Sequence, residues 1–313
     1  MKRTTLAGLS VVMLLVIVLI VGLLVFRPQV RGAWQIAQAV STERQDLAEG
    51  HRFPEALAEA KAQGLPTSAA GLQKPLPPPE RNAAPVYVRL MQLTKTHPFT
   101  PTEEGVLKVH PGVDPTPAQW VQIAELLHDR STELALVHQA AARPDCVFTR
   151  DWATPDPADI QFPELATVRN AAYLLRLESM LMAHQGKYEA AVRNQALGFQ
   201  IARHGASDGL IIPYLVGVAG DSITLDGLRR IMTMAGPNVS LDDTVGDIIA
   251  RDWKIRSLAT VLHSETGFDL GDIAYLRQAG PQGLDEAAGG RSARTTLAAQ
   301  GIDIGRWNNN HWC

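Results

Sequence analysis

A chain of 313 residues, 46% apolar and 19% charged, is long enough to bury one large core or two modest ones, and its composition is globular with a membrane contribution. The formal net charge is −3, without the clustered positive field that phosphate backbones demand, which excludes nucleic acid as the expected partner. Lys2 and Arg3 are the charges of the first 26 residues; without them, 27 basic residues face 32 acidic ones.

Residues 6–26, LAGLSVVMLLVIVLIVGLLVF, form a run of 21 without a charge. As a helix this run spans roughly 30 Å, the thickness of a bilayer's hydrocarbon core. A secretory signal has a shorter apolar region, about 7–15 residues, with a small-x-small cleavage site close behind it. Here Val25-Phe26-Arg27-Pro28 follows, and Ala37-Gln38-Ala39 lies too far downstream. Residues 1–26 are therefore expected to be a cytoplasmic stub and an uncleaved transmembrane signal anchor. Lys2 and Arg3 against Arg27 and Arg31 give only a small positive-inside bias, but the short, acid-free N-tail favours N-in, C-out. The expected location is the bacterial inner or cytoplasmic membrane, single-pass, with the C-terminal domain outside the cytoplasm. Two cysteines, Cys146 and Cys313, fit an oxidising compartment either as a pair or as two independent thiols.

Residues 27–81 read as membrane-proximal helices and a Pro-rich segment. One helix continues out of the membrane, and a second covers 54–63, ended by Gly64-Leu65-Pro66. LQKPLPPPERNAAP, with five prolines between Pro75 and Pro85, predicts an extended spacer or a strap over a surface.

Residues 82–280 read as an α-helical domain. Helices are predicted over 84–96, 116–142, 163–185, 187–204, 210–235, 241–264 and 270–279. The 116–142 stretch opens with Thr116 as cap and Pro117 at the first position, and Trp120, Ile123, Leu127, Leu134 and Val137 recur at helical spacing. In 163–185, Leu165, Val168, Ala172, Leu175 and Met182 do the same. No segment sustains the period-two alternation of a strand, so the expected class is all-α. Residues 281–313, Gly- and Ala-rich and ending in RWNNNHWC, read as a weakly ordered tail.

QGKYEAAV, residues 185–192, predicts a tight turn between two close-packed antiparallel helices: Gly186 ends one, Tyr188 packs, and Ala191 permits close approach. Gly186, Tyr188 and Ala191 resemble the turn of a tetratricopeptide repeat. Gln195 stands where that repeat has an aromatic, the closing proline is absent, and no second copy follows at a 34-residue period. The wider chain, over about residues 55–275, is similar to uncharacterised membrane-anchored bacterial helical proteins. The stretches that carry the likeness are AKAQGLP (60–66), PPPERNAAPVY (77–87) and RPDCVFTRDW (143–152). The likeness implies architecture and no activity.

Three patterns raise chemistry. Gly205-Ala206-Ser207-Asp208-Gly209 fits G-x-S-x-G, which needs a strand before the serine; a helix is predicted there, and Ser207 or Asp208 as a helix cap explains the same letters. Cys146 could serve as a thiol nucleophile, or it could pack with Val147, Phe148 and Trp152 in an interhelix loop fixed by Arg–Asp pairs. Glu125 and His128, one E-x-x-H, lack the second copy of a di-metal bundle, and Asp242, Asp243 and Asp247 suit a helix start as well as a cation. No cofactor or metal motif is present. The sequence thus predicts a membrane-anchored scaffold or interaction module with a protein partner; the alternative is a cell-envelope hydrolase using Ser207 or Cys146.

Overall fold

The computed structural model describes residues 52–108, 114–237, 239–253 and 257–287. Among them stand ten α-helices and no strand, as expected: α1 (Arg52–Ala62), α2 (Ala84–Thr96), α3 (Pro101–Leu107), α4 (Pro117–Asp129), α5 (Ser131–Ala141), α6 (Leu165–His184), α7 (Tyr188–Gly205), α8 (Ile211–Ala235), α9 (Asp242–Asp252) and α10 (Leu258–Ala287). Short 3-10 turns lie at Ala69–Leu72 and Pro157–Asp159. Two compact units divide the chain, one Ala60–Arg277, the other Met1–Glu59 with Gln278–Cys313. The signal anchor expected at 6–26 and the RWNNNHWC terminus lie outside the described residues.

The first unit is organised on α6, α7 and α8. Small residues let these helices approach. A Cβ on Gly220 of α8 would stand 2.9 Å from the Ala202 Cβ of α7, and one on Gly227 would fall 2.4 Å from Gln195. Gln195 itself is buried and donates through Nε2 to the Thr224 carbonyl at 3.2 Å. The expected apolar stripe of α6 is inside: Val168, Ala172 and Leu175 are buried, as are Leu174, Leu177 and Met180 on its other faces, because α6 is covered by several helices. One core joins α2, α4, α5 and α6; a second joins α7, α8 and α9 around Phe199, Leu228, Ile231 and Val245; a third, smaller one holds Ala69, Leu72, Trp152, Ile160 and Leu210.

α8 is long and apolar enough to cross a bilayer by length and composition alone. Its inner side is nevertheless core, with Gly217, Gly220, Thr224, Leu228 and Ile231 buried against its neighbours.

Three boundaries differ from the sequence reading. The 116–142 stretch is two helices, α4 and α5, which meet at Arg130, whose backbone leaves the helical region (φ −99°, ψ 23°). Arg130 Nε and Nη2 donate to Glu103 Oε1 and Oε2 at 2.9 and 3.0 Å, and Nη1 donates to the His97 carbonyl at 2.6 Å and to Glu133 at 3.0 Å. The hydrogen bonds Arg130 N to Leu126 O and Leu134 N to Arg130 O persist through the bend, so the apolar periodicity reads straight across it. α3 went unpredicted, although Thr100-Pro101-Thr102-Glu103 is a capping box: the Thr100 hydroxyl accepts from Glu103 N, and the Glu103 carboxylate accepts from Thr100 N at 2.7 Å. The 241–264 stretch breaks after Asp252. α10 then starts at Leu258, absorbs the separate helix expected at 270–279 and runs to Ala287, past the position where the tail was placed.

Candidate functional site

The hairpin forms as its letters demand. Gly186 takes φ +78°, a left-handed conformation that closes the end of α6, with Gly186 N and Lys187 N donating to the Ala183 and Met182 carbonyls. Ala191 is fully buried, and the Tyr188 hydroxyl donates to the Met234 carbonyl at 3.3 Å, fastening the turn to the end of α8. Gly186, Tyr188 and Ala191 are thus structural residues of the α6–α7 turn.

Ser207 and Cys146, far apart in sequence, come together beneath the turn that follows α7. That turn is entered from a helix, with Ser207 N donating to the His204 carbonyl at 3.2 Å, so the strand a nucleophile elbow requires is replaced by α7. The Ser207 hydroxyl oxygen is buried beside the Cys146 thiol. Burial, reinforced by the Asp208 carboxylate, pushes the Cys146 thiol far above its ordinary range, against smaller opposing effects of Ser207 and Arg150. A thiol held protonated in this way is a poor nucleophile.

The loop around Cys146 packs as the structural alternative describes, with Cys146, Phe148 and Trp152 buried. Its ion pairs reach further than the sequence suggested. Arg150 donates to Asp208 Oδ2 through Nε and Nη2 at 3.1 and 2.6 Å, to Glu164 through Nη2, and to the Gln161 carbonyl through Nη1 at 2.7 Å. The Phe162 ring lies 4.3 Å from its guanidinium carbon. Burial works against the Arg150 charge, but Glu164 and Asp208 outweigh it and raise its pKa.

The Pro-rich segment is a strap. Near one end Lys74 Nζ donates to the Ser207 carbonyl. At the other, Arg143 Nη1 donates to the Pro79 and Asn82 carbonyls at 3.0 and 2.6 Å, and Arg81 Nε donates to Asp145 at 2.8 Å. Asn82 makes an isolated parallel bridge with Asp145, while its side chain accepts from Ala84 N and Val147 N and donates to the Val147 carbonyl. PPPERNAAPVY and RPDCVFTRDW are therefore tied to each other. AKAQGLP meets α10: a Cβ on Gly267 would stand 2.5 Å from the Pro66 Cβ.

Strap, α2 and the 147–164 loop enclose a groove of about 1070 Å³, with Leu76, Pro77, Val88, Met91 and Ile160 among its apolar lining and Arg150, Asp151, Asp159 and Glu164 among its polar one. Glu125 and His128 are exposed on α4 instead, and Asp242, Asp243 and Asp247 are exposed on α9, with the first two in its opening turn. Sequence reasoning missed the groove and the buried arginines. The sequence signal for the groove was the high density of prolines before α2; the arginines gave none, since a buried and an exposed arginine look alike in a sequence. The chain matches no family model, and no curated protein or solved structure matches it significantly.

Proposed function

We propose that this chain is a membrane-anchored, extracytoplasmic helical module that acts by binding a protein partner. The groove carries the reading: a concave, partly apolar surface is what an interaction module needs, and Leu76 (61% exposed) and Val88 (37% exposed) present apolar surface within it. The uncharged run at 6–26 supports the anchor, and the helical hairpin with its tetratricopeptide-like letters supports a bundle built for interaction. The hydrolase alternative is disfavoured by the helix before Ser207 and by the protonated Cys146.

A photo-crosslinking residue at Val88, introduced in the full chain in bacterial cells, tests the reading. A discrete crosslinked protein is expected there and not from a probe at exposed Glu125. A reporter active only in the periplasm, fused after Cys313, should be active; activity only from a cytoplasm-dependent reporter would overturn the topology. Labelling of Ser207 by a fluorophosphonate probe would restore the enzyme.

A further inference from the structure

The charges lining the groove do not cancel. Arg150 is the cation among its lining residues and is already shared by two buried carboxylates, Glu164 and Asp208. Asp151 and Asp159 also line the groove and are exposed, and among the described residues neither carboxylate has a cation partner. Asp151 Oδ1 accepts from Ala153 N at 3.2 Å, a neutral donor that does not cancel its charge. Two groove-lining carboxylates without a cation partner among the described residues, with the apolar surfaces of Leu76, Val88, Met91 and Ile160, favour an occupant with an apolar body and a positive group. Anionic lipid headgroups and free phosphates are repelled by the same field.

The strap decides how an occupant lies. Pro77, Pro78 and Pro79 have no N–H, so this edge cannot extend a ladder of backbone hydrogen bonds. Side chains seated in the groove therefore supply most of the affinity, with strap carbonyls able only to accept. Its volume, about 1070 Å³, lies at the top of the small-ligand range of roughly 300–1,000 Å³ and leaves room for several side chains.

We infer that the groove takes an extended apolar peptide segment bearing lysine or arginine, its basic group set against Asp151 and Asp159. This rests on the interaction reading above and names the chemistry of the partner.

The full chain in zwitterionic detergent, with detergent alone as blank, is titrated into two fluorescent ten-residue peptides of alternating Leu and Val. One carries three lysines and the other three glutamates at the same positions; anisotropy reports binding. The lysine peptide is expected to bind at least tenfold more tightly. The double substitution Asp151→Asn, Asp159→Asn should weaken it about two- to thirtyfold, the range two solvent-exposed charge pairs supply, and should barely move the glutamate peptide. Val88→Trp, which fills the groove, should weaken the lysine peptide whatever the charges. Equal affinity for both peptides, or no effect of the Asp substitutions, overturns the basic-peptide assignment. Binding of neither peptide at 1 mM overturns it as well. The crosslink from Val88 in cells decides the interaction reading independently of either result.

Discussion

The Tyr87 hydroxyl and His204 Nδ1 lie 3.0 Å apart in the core, joining α2 to α7, and both residues are almost fully buried. His204 Nε2 stands 2.9 Å from the Arg143 carbonyl and 2.7 Å from Gln200 Nε2, so both ring nitrogens have polar partners inside the core. The histidine is neutral at pH 7 because its surroundings disfavour the charged ring. Burial, its largest influence, lowers its pKa from 6.5 to about 4, against the weaker pull of the Arg143 carbonyl.

A pH dependence follows with a definite sign. Between pH 6.5 and about 4 the unfolded chain binds a proton that the folded His204 refuses, so stability falls as pH falls through that window. One group contributes about 1.4 kcal/mol per pH unit there, roughly 3 kcal/mol in all. His138 acts oppositely. Its hydrogen bond to Glu178 at 2.8 Å raises its pKa, so its contribution is fully present below pH 6.5 and disappears as pH rises through the raised value. Solvent reaches His138 and reduces its effect. Urea unfolding followed by circular dichroism from pH 4 to 8 should show the acid-side loss. That slope should flatten in His204→Gln and persist in His138→Gln.

Arg150→Met should be severely destabilising. It strands Glu164 and Asp208, both nearly buried, without their counter-charge, and breaking a buried pair in this way costs about 3–5 kcal/mol. Asp151→Asn, one residue on but exposed, should stay within about 0.5 kcal/mol. Equal urea midpoints for the two variants would contradict the assigned role of Arg150.

Two glycines in helices should respond with opposite signs to the same change. Gly220→Ala sets a Cβ 2.9 Å from the Ala202 Cβ and 3.1 Å from its Cα, where backbone cannot give, and should cost about 1–3 kcal/mol. Gly246→Ala on α9 meets nothing within 4 Å and should stabilise by about 0.5–1 kcal/mol through helix propensity. Thermal unfolding of the two variants reads the difference directly.

Cys146 should be inert in the folded chain. In a Cys313→Ser variant, an aromatic disulfide reagent at pH 8 should label Cys146 only at the rate at which the fold opens, and at once in urea. Rapid labelling without denaturant would show the thiol accessible and the packing of its loop wrong.

Helical spacing and capping letters were enough to identify the all-α class, the α6–α7 hairpin and the stripe of Val168, Ala172 and Leu175, because these depend on interactions within a turn or two of helix. The capping box of α3 is equally local and was legible, though unread. The bend at Arg130 was not, because the local hydrogen bonds survive it and the Glu103 carboxylate that holds the side chain lies 27 residues away. The same holds for the candidate site. The helix before Ser207 was legible in the sequence, whereas the burial of Ser207 beside Cys146 was not, because 61 residues separate them in the chain.

The sequence by itself determined the all-α class, the turn glycine and an uncharged run long enough to span a bilayer, all properties of neighbouring residues. The tertiary structure alone decided that the proline segment is a strap held by Lys74 and Arg143, and that Arg150 is shared by two buried carboxylates while Asp151 and Asp159 line a groove without a cation partner among the described residues. Burial and charge compensation are set by what lies across space, and a linear pattern carries no record of distance.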